Sequence, residues 1–170
     1  MVTGTERGRR WDSEYVNCAV ITRLLAEFQG FSRDLLTDAV DHVVDQFHAP
    51  PALVGMLRGA FVSTSALSKG NPTWTALTTD FGQLGLSLKS AVDLRYAVNG
   101  PRWRTKLDAA LYARNAIAHA DDDKLIVCRA RHDLTMRRAR EWRRSLNGLC
   151  AGLDAVVGTH LTQMTGVAPW

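Results

Sequence analysis

Between Asp12 and Phe47 the large apolar residues recur in steps of three and four: Ile21, Leu24, Leu25, Phe28, Phe31, Leu35, Ala39 and Val43. This is the spacing of one helix face, and a strand cannot present it. Asp12 or Ser13 is placed to cap the helix, Tyr15 and Val16 open its pattern, and Gly30 is a point where it could bend. Ala49-Pro50-Pro51 stops it, with Pro51 suited to the first turn of the next helix.

The same period continues between three further breaks. A second helix is expected over Ala52–Leu67, with Leu53, Met56, Leu57, Ala60 and Phe61 inward, before Lys69-Gly70-Asn71-Pro72. A third region, about Trp74 to Val98, carries interruptions near Gly82 and Gly85 and ends at Asn99-Gly100-Pro101. A fourth helix runs from Pro101 to about Ala118, and His119-Ala120-Asp121-Asp122-Asp123 ends it. The last helix begins near Asp133 and carries Trp142, Leu146, Leu149, Leu153, Val156, His160 and Met164 at heptad-like spacing. Leu125-Ile126-Val127-Cys128 alone looks strand-like, and so short a segment cannot make a sheet by itself. The expectation is an all-α fold, a compact bundle of about five helices. Residues 1–11 are expected to form a flexible N-terminus and residues 12–168 a single domain.

Composition narrows the function. A chain of 170 residues that is 46% hydrophobic can bury a core without disulfide or metal staples. The cysteines, Cys18, Cys128 and Cys150, are odd in number and far apart, which suggests buried free thiols in a reducing compartment. No apolar stretch is long enough for a membrane helix and the N-terminus lacks a signal-peptide block, so a cytoplasmic protein is expected. The net charge is +4, and arginine makes up 17 of the 21 basic residues. Residues 101–170 hold 12 Lys/Arg against 7 Asp/Glu, so the excess lies wholly in that part of the chain. Arg129, Arg131, Arg137, Arg138, Arg140, Arg143 and Arg144 crowd together there, and Arg137, Arg140 and Arg144 share a face. They read either as a track for an RNA backbone or as a solvated face that pairs internally, for instance with Glu141. Glu27, Asp34, Asp38, Asp41 and Asp45 form an acidic stripe on the first helix. That stripe is either solvated or a docking face for the arginine-rich helix or a basic partner.

Arg114-Asn115-Ala116-Ile117-Ala118-His119 is the segment that carries chemistry. Arg114 and His119 lie ~140° apart around the helix and ~7.5 Å along it. Asn115 and His119 share a face. Arg114 falls on the stripe of Leu107, Leu111 and Ala118, where a guanidinium needs an anion or an acceptor. An arginine that stays charged can stabilise a phosphorane, and a neighbouring histidine can move a proton near neutral pH. RNA supplies its own nucleophile, the 2′-hydroxyl, so such a site needs no metal. Elsewhere the signals are weak. His42 and His48 have no thiolate nearby for a zinc site, His160 reads as a packed core residue, and Trp103 and Trp142 read as core. Ser63 and Ser65 lack a hydrolase context, and there is no phosphate loop or dinucleotide fingerprint. No cofactor is implied.

The Arg114–His119 segment resembles the signature of the HEPN superfamily, in which an Arg is followed after four to six residues by His and often by Asn, Asp or His directly. The resemblance implies a compact helical bundle that dimerises and unites two motifs in one cleft for metal-independent RNA cleavage. Many members are toxins of toxin–antitoxin or phage-defence systems, so a cognate antitoxin protein is a possible partner beside RNA and a second copy of the chain. On this reading Arg114, His119 and Asn115 are catalytic, and Arg137, Arg140 and Arg144 bind RNA. Where HEPN toxins paired with a nucleotidyltransferase antitoxin often carry a modified Tyr two residues after the His, this chain has Asp121. Asp121 could instead orient the His119 imidazole, although Asp121-Asp122-Asp123 disfavours RNA close by. The alternatives are a non-catalytic helical module that binds RNA or a protein, and an antitoxin-like or scaffold protein in which these residues are structural.

Overall fold

The computed structural model describes residues 5–46 and 50–170. Eight helices follow in order: α1 (Thr5–Gln46), α2 (Pro51–Thr64), α3 (Ala66–Lys69), α4 (Trp74–Gly82), α5 (Leu88–Arg95), α6 (Asn99–Ala118), α7 (Asp122–Ala130) and α8 (Met136–Thr165). No strand occurs among the described residues, and the helix count exceeds the five expected because several breaks divide more finely than their composition suggests.

The long helices α1, α6 and α8 pack on one another and supply most of the core. Ile21, Leu25, Phe28, Leu35, Ala39 and Val44 of α1 meet Leu107, Ala110, Leu111 and Ala113 of α6, and Trp142, Leu146, Leu149, Leu153, Val156 and Leu161 of α8. The expected stripes on α1 and α8 thus face the core, with Leu24, Phe31, Val43 and His160 only half-buried and Met164 exposed. α1 begins at Thr5 rather than at an Asp12 or Ser13 cap, and it continues through Gly30 without interruption.

The α6–α8 seam is close because two glycines permit it. A β-carbon on Gly148 would lie 2.9 Å from Trp103 Nε1, and one on Gly152 would lie 2.8 Å from Trp103 Cζ3. Both are below any real contact, so the Trp103 indole rests directly on the α8 backbone, with Tyr96 against it at 5.1 Å between ring centroids. His160 is half-buried and its Nε2 is 2.9 Å from the Leu84 carbonyl oxygen, the packed role read for it.

Four expectations about helix starts and breaks change as well. Leu125–Cys128 is helical, in α7, because Asp121 caps that helix: its side chain accepts from the Lys124 backbone N–H, and Asp122 and Asp123 fill the first turn. The acidic run therefore opens one helix as well as closing another. The last helix starts at Met136, capped by the Thr135 side chain on the Arg138 N–H, and not near Asp133. Pro101 lies inside the first turn of α6, which begins at Asn99; a missing N–H costs nothing there. Finally, Ser65 and Asp80 split the second helix. Ser65 caps α3, and the buried Asp80 carboxylate accepts from the Ser65 hydroxyl and from the N–H groups of Ala66 and Leu67.

α2 has no fully buried side chain. Val54, Leu57 and Phe61 are half-buried, whereas Leu53, Met56 and Ala60, expected inward, face outward, with Met56 72% exposed. An apolar helix packed on one flank only cannot bury all of its apolar residues, and period alone does not say which face wins. All three cysteines are free; Cys128 is the buried one and Cys18 and Cys150 are half-buried. Burial pushes the Cys150 thiol up to about 11 and raises the other two. No helix among the described residues is long and apolar enough to cross a membrane.

Candidate functional site

α6 ends in a Schellman turn, and this turn sets the position of His119. The Asp121 N–H bonds the Ala116 carbonyl at 3.1 Å and the Ala120 N–H bonds the Ile117 carbonyl at 3.3 Å. Ala120 occupies the left-handed position at φ 47°, where glycine is usual. His119 is the C-cap residue, its backbone held by the Asn115 carbonyl at 3.1 Å. Its side chain is exposed and has no hydrogen-bond partner among the described residues, so the imidazole is available to a ligand.

Arg114 is half-buried on α6, and its acceptor is Asn71, which sequence spacing did not point to. Arg114 Nη1 donates to Asn71 Oδ1 at 2.7 Å and to Asn115 Oδ1 at 3.3 Å. Asn71 Nδ2 donates to Asn115 Oδ1 at 3.0 Å, closing a three-residue network. Asn71 lies in the loop between α3 and α4, which α1 anchors. Gln29 Nε2 donates to the Gly70 carbonyl at 2.7 Å, and Arg33 Nε donates to the Leu67 carbonyl at 2.8 Å. Within the loop the Thr73 N–H returns to the Asn71 carbonyl at 2.8 Å.

These partners decide what Arg114 can do. Both are neutral amides, so the guanidinium is oriented but keeps its full charge, and only Nη1 is engaged among the described residues. An arginine paired to a carboxylate would have that charge cancelled; this one can still receive an anion. Asn115 belongs to the same network through its side-chain oxygen.

Asp121 sits one residue beyond Ala120, but its carboxylate is taken by Lys124. Oδ1 accepts from the Lys124 N–H at 3.1 Å and Oδ2 from Lys124 Nζ at 2.7 Å. Those bonds, the side-chain one foremost, hold the Asp121 carboxyl below the usual carboxylate range, and the nearby His119 contributes least. No hydrogen bond joins Asp121 to the imidazole among the described residues.

The arginine-rich segment divides in two. Arg138 is held by Glu141 at 2.8 Å and faces the buried Asp133 at 3.1 Å, while Arg129 pairs with Glu14 of α1 at 2.9 Å. Arg137 pairs with Glu141 at 3.2 Å. Arg140 and Arg144, with Arg143 beside them, are exposed and unpaired among the described residues. Of the acidic stripe of α1, only Asp41 and Asp45 meet α2 among the described residues: Arg58 binds Asp41 at 2.6 Å and Asp45 at 3.2 Å, while Glu27 pairs with Arg23 in its own helix and Asp34 and Asp38 are exposed.

His42 Nε2 lies 3.1 Å from Thr165 Oγ1, whereas His48 lies outside the described residues. Among the described residues no three His, Cys, Asp or Glu side chains are grouped to hold a metal ion. No family model, curated protein or solved structure matches the chain.

Proposed function

We propose that this chain is a metal-independent endoribonuclease of the HEPN type, acting as a homodimer in a toxin–antitoxin or phage-defence setting. The observation that carries the reading is the pairing, at one end of α6, of a charged Arg114 held by neutral amides with an exposed, unpartnered His119. Arg114 binds and polarises the scissile phosphate. His119 exchanges a proton with the attacking 2′-hydroxyl or the leaving 5′-oxygen. Attack of the 2′-oxygen on phosphorus expels the 5′-oxygen as a hydroxyl and leaves a 2′,3′-cyclic phosphate. Asn115, with Asn71, keeps the guanidinium in register. A second protomer supplies the other half of the acid–base pair. Tyr15, Val16 and Val20 of α1 and Ile126 of α7 are large apolar side chains left exposed, which supports an uncompleted interface. Arg140 and Arg144 are free to take an RNA backbone, and Arg137 joins them by releasing Glu141.

The test is cleavage of mixed RNA in EDTA by wild type, Arg114→Ala and His119→Ala. Loss of cleavage by at least about a hundredfold in both variants is expected. Activity that survives in both, or that EDTA abolishes, would refute the mechanism. One observation favours a second reading, a module that binds RNA or a protein without cutting: Asp122 and Asp123 stand exposed beside His119 and repel a polyphosphate. RNA retained intact by the wild type would select it.

A further inference from the structure

A cavity of about 370 Å³ opens between α1 and the α2–α3 corner, and neither Arg114 nor Asn115 lines it. Its volume is that of a small-molecule site. Leu36 and Val40 of α1 and Phe61 and Val62 of α2 give it an apolar lining. Two arginines also line it, and their charges are handled differently. Arg58 is neutralised by Asp41 at 2.6 Å and Asp45 at 3.2 Å. Arg33 has no carboxylate partner among the described residues. Its Nε donates to the Leu67 carbonyl at 2.8 Å and its Nη2 to the Ser68 carbonyl at 3.4 Å, which orients the guanidinium and leaves Nη1 without a partner among the described residues. The hydroxyls of Thr37 and Ser68 line the same cavity and form no hydrogen bond among the described residues.

We propose that this cavity binds a small carboxylate with an apolar tail, such as a medium-chain fatty acid, its carboxylate on Arg33 and its tail along Leu36, Val40, Phe61 and Val62. One unneutralised guanidinium matches a single negative charge, and its planar fork fits two carboxylate oxygens. Asp41, also in the lining, opposes a second negative charge. The apolar walls favour a tail over a polar body such as a sugar.

The experiment is equilibrium dialysis of labelled decanoate, below its micellar concentration, against the full chain, with decan-1-ol and acetate as parallel probes. Saturable uptake of one decanoate per chain is expected, with decan-1-ol and acetate each at least about tenfold weaker. Arg33→Gln removes the cation, and Val62→Asp places a negative charge in the lining at a side chain that is 64% exposed, so the core is left intact. Each is expected to weaken decanoate at least about tenfold while the circular dichroism spectrum is kept. No saturable uptake by wild type, equal uptake of decan-1-ol, or wild-type affinity in Val62→Asp would overturn the proposal. RNA cleavage by the wild type and by Val62→Asp is a separate readout, because Arg33 also anchors the loop that carries Asn71, so failure of either reading leaves the other standing.

Discussion

At the scale of single residues, Asn71 and Asp121 are the side chains whose roles the structure defines most sharply. Asn71 supports Arg114 from 43 residues away along the chain. Under the proposed chemistry, Asn71→Ala should lower RNA cleavage roughly ten- to a hundredfold while costing only about 1 kcal/mol of stability, because a misplaced guanidinium costs rate more than stability. Steady-state cleavage and a melting curve on the same sample check this. Asp121 makes a pH prediction. Its carboxyl is held below the ordinary range by Lys124, so its contribution to stability is fully present above that range and disappears as pH falls through the folded value. Asp121→Asn keeps a capping oxygen but has no carboxyl to titrate. Urea midpoints followed from neutral to acid pH should fall less steeply in this variant than in wild type. The spacing of Arg114, Asn115 and His119 was legible in the sequence because helix geometry converts spacing into position. Asn71 was not, because a tertiary contact between a loop and a helix leaves no periodic trace.

At the scale of elements, helix ends were harder to read than helix faces. The stripes of α1 and α8 stood out because burial selects apolar residues at a fixed period. α7 was missed because the turns before and after it lack glycine. Ala120 at φ 47° closes α6, and His132 at φ 55° closes α7 with the Asp133 N–H on the Cys128 carbonyl at 2.9 Å. A residue with a β-carbon in that region is strained, and its identity does not announce the turn. Ala120→Gly should therefore raise stability by about 0.5–1 kcal/mol, the strain relieved exceeding the chain entropy lost. Chemical denaturation measures this, and a loss of stability would show that Ala120 is unstrained.

For the whole molecule, the three long helices provide the frame, and α1 anchors the α3–α4 loop that carries Asn71. The Trp103 contact with Gly148 and Gly152 is a close approach within that frame. Gly152→Ala should destabilise the protein by about 1–3 kcal/mol, because the added methyl meets an indole ring. A shift in the calorimetric midpoint tests it, and it should exceed the shift from Gly30→Ala, where nothing lies within 4 Å of the added carbon. Which residues are apolar foretold the frame, but which glycines are contacts could be seen only once α6 lay across α8.

Asp121 ends one helix with its backbone and begins the next with its side chain. The corner between α6 and α7 consequently has no slack. Adding or removing one residue there would turn α7 by about 100° about its axis and swing Cys128 out of the core. Most connections on a protein surface absorb changes of length cheaply. This one does not, and among chains descended from the same ancestor the distance from Arg114 to the start of α7 should stay constant in length even where its residues change.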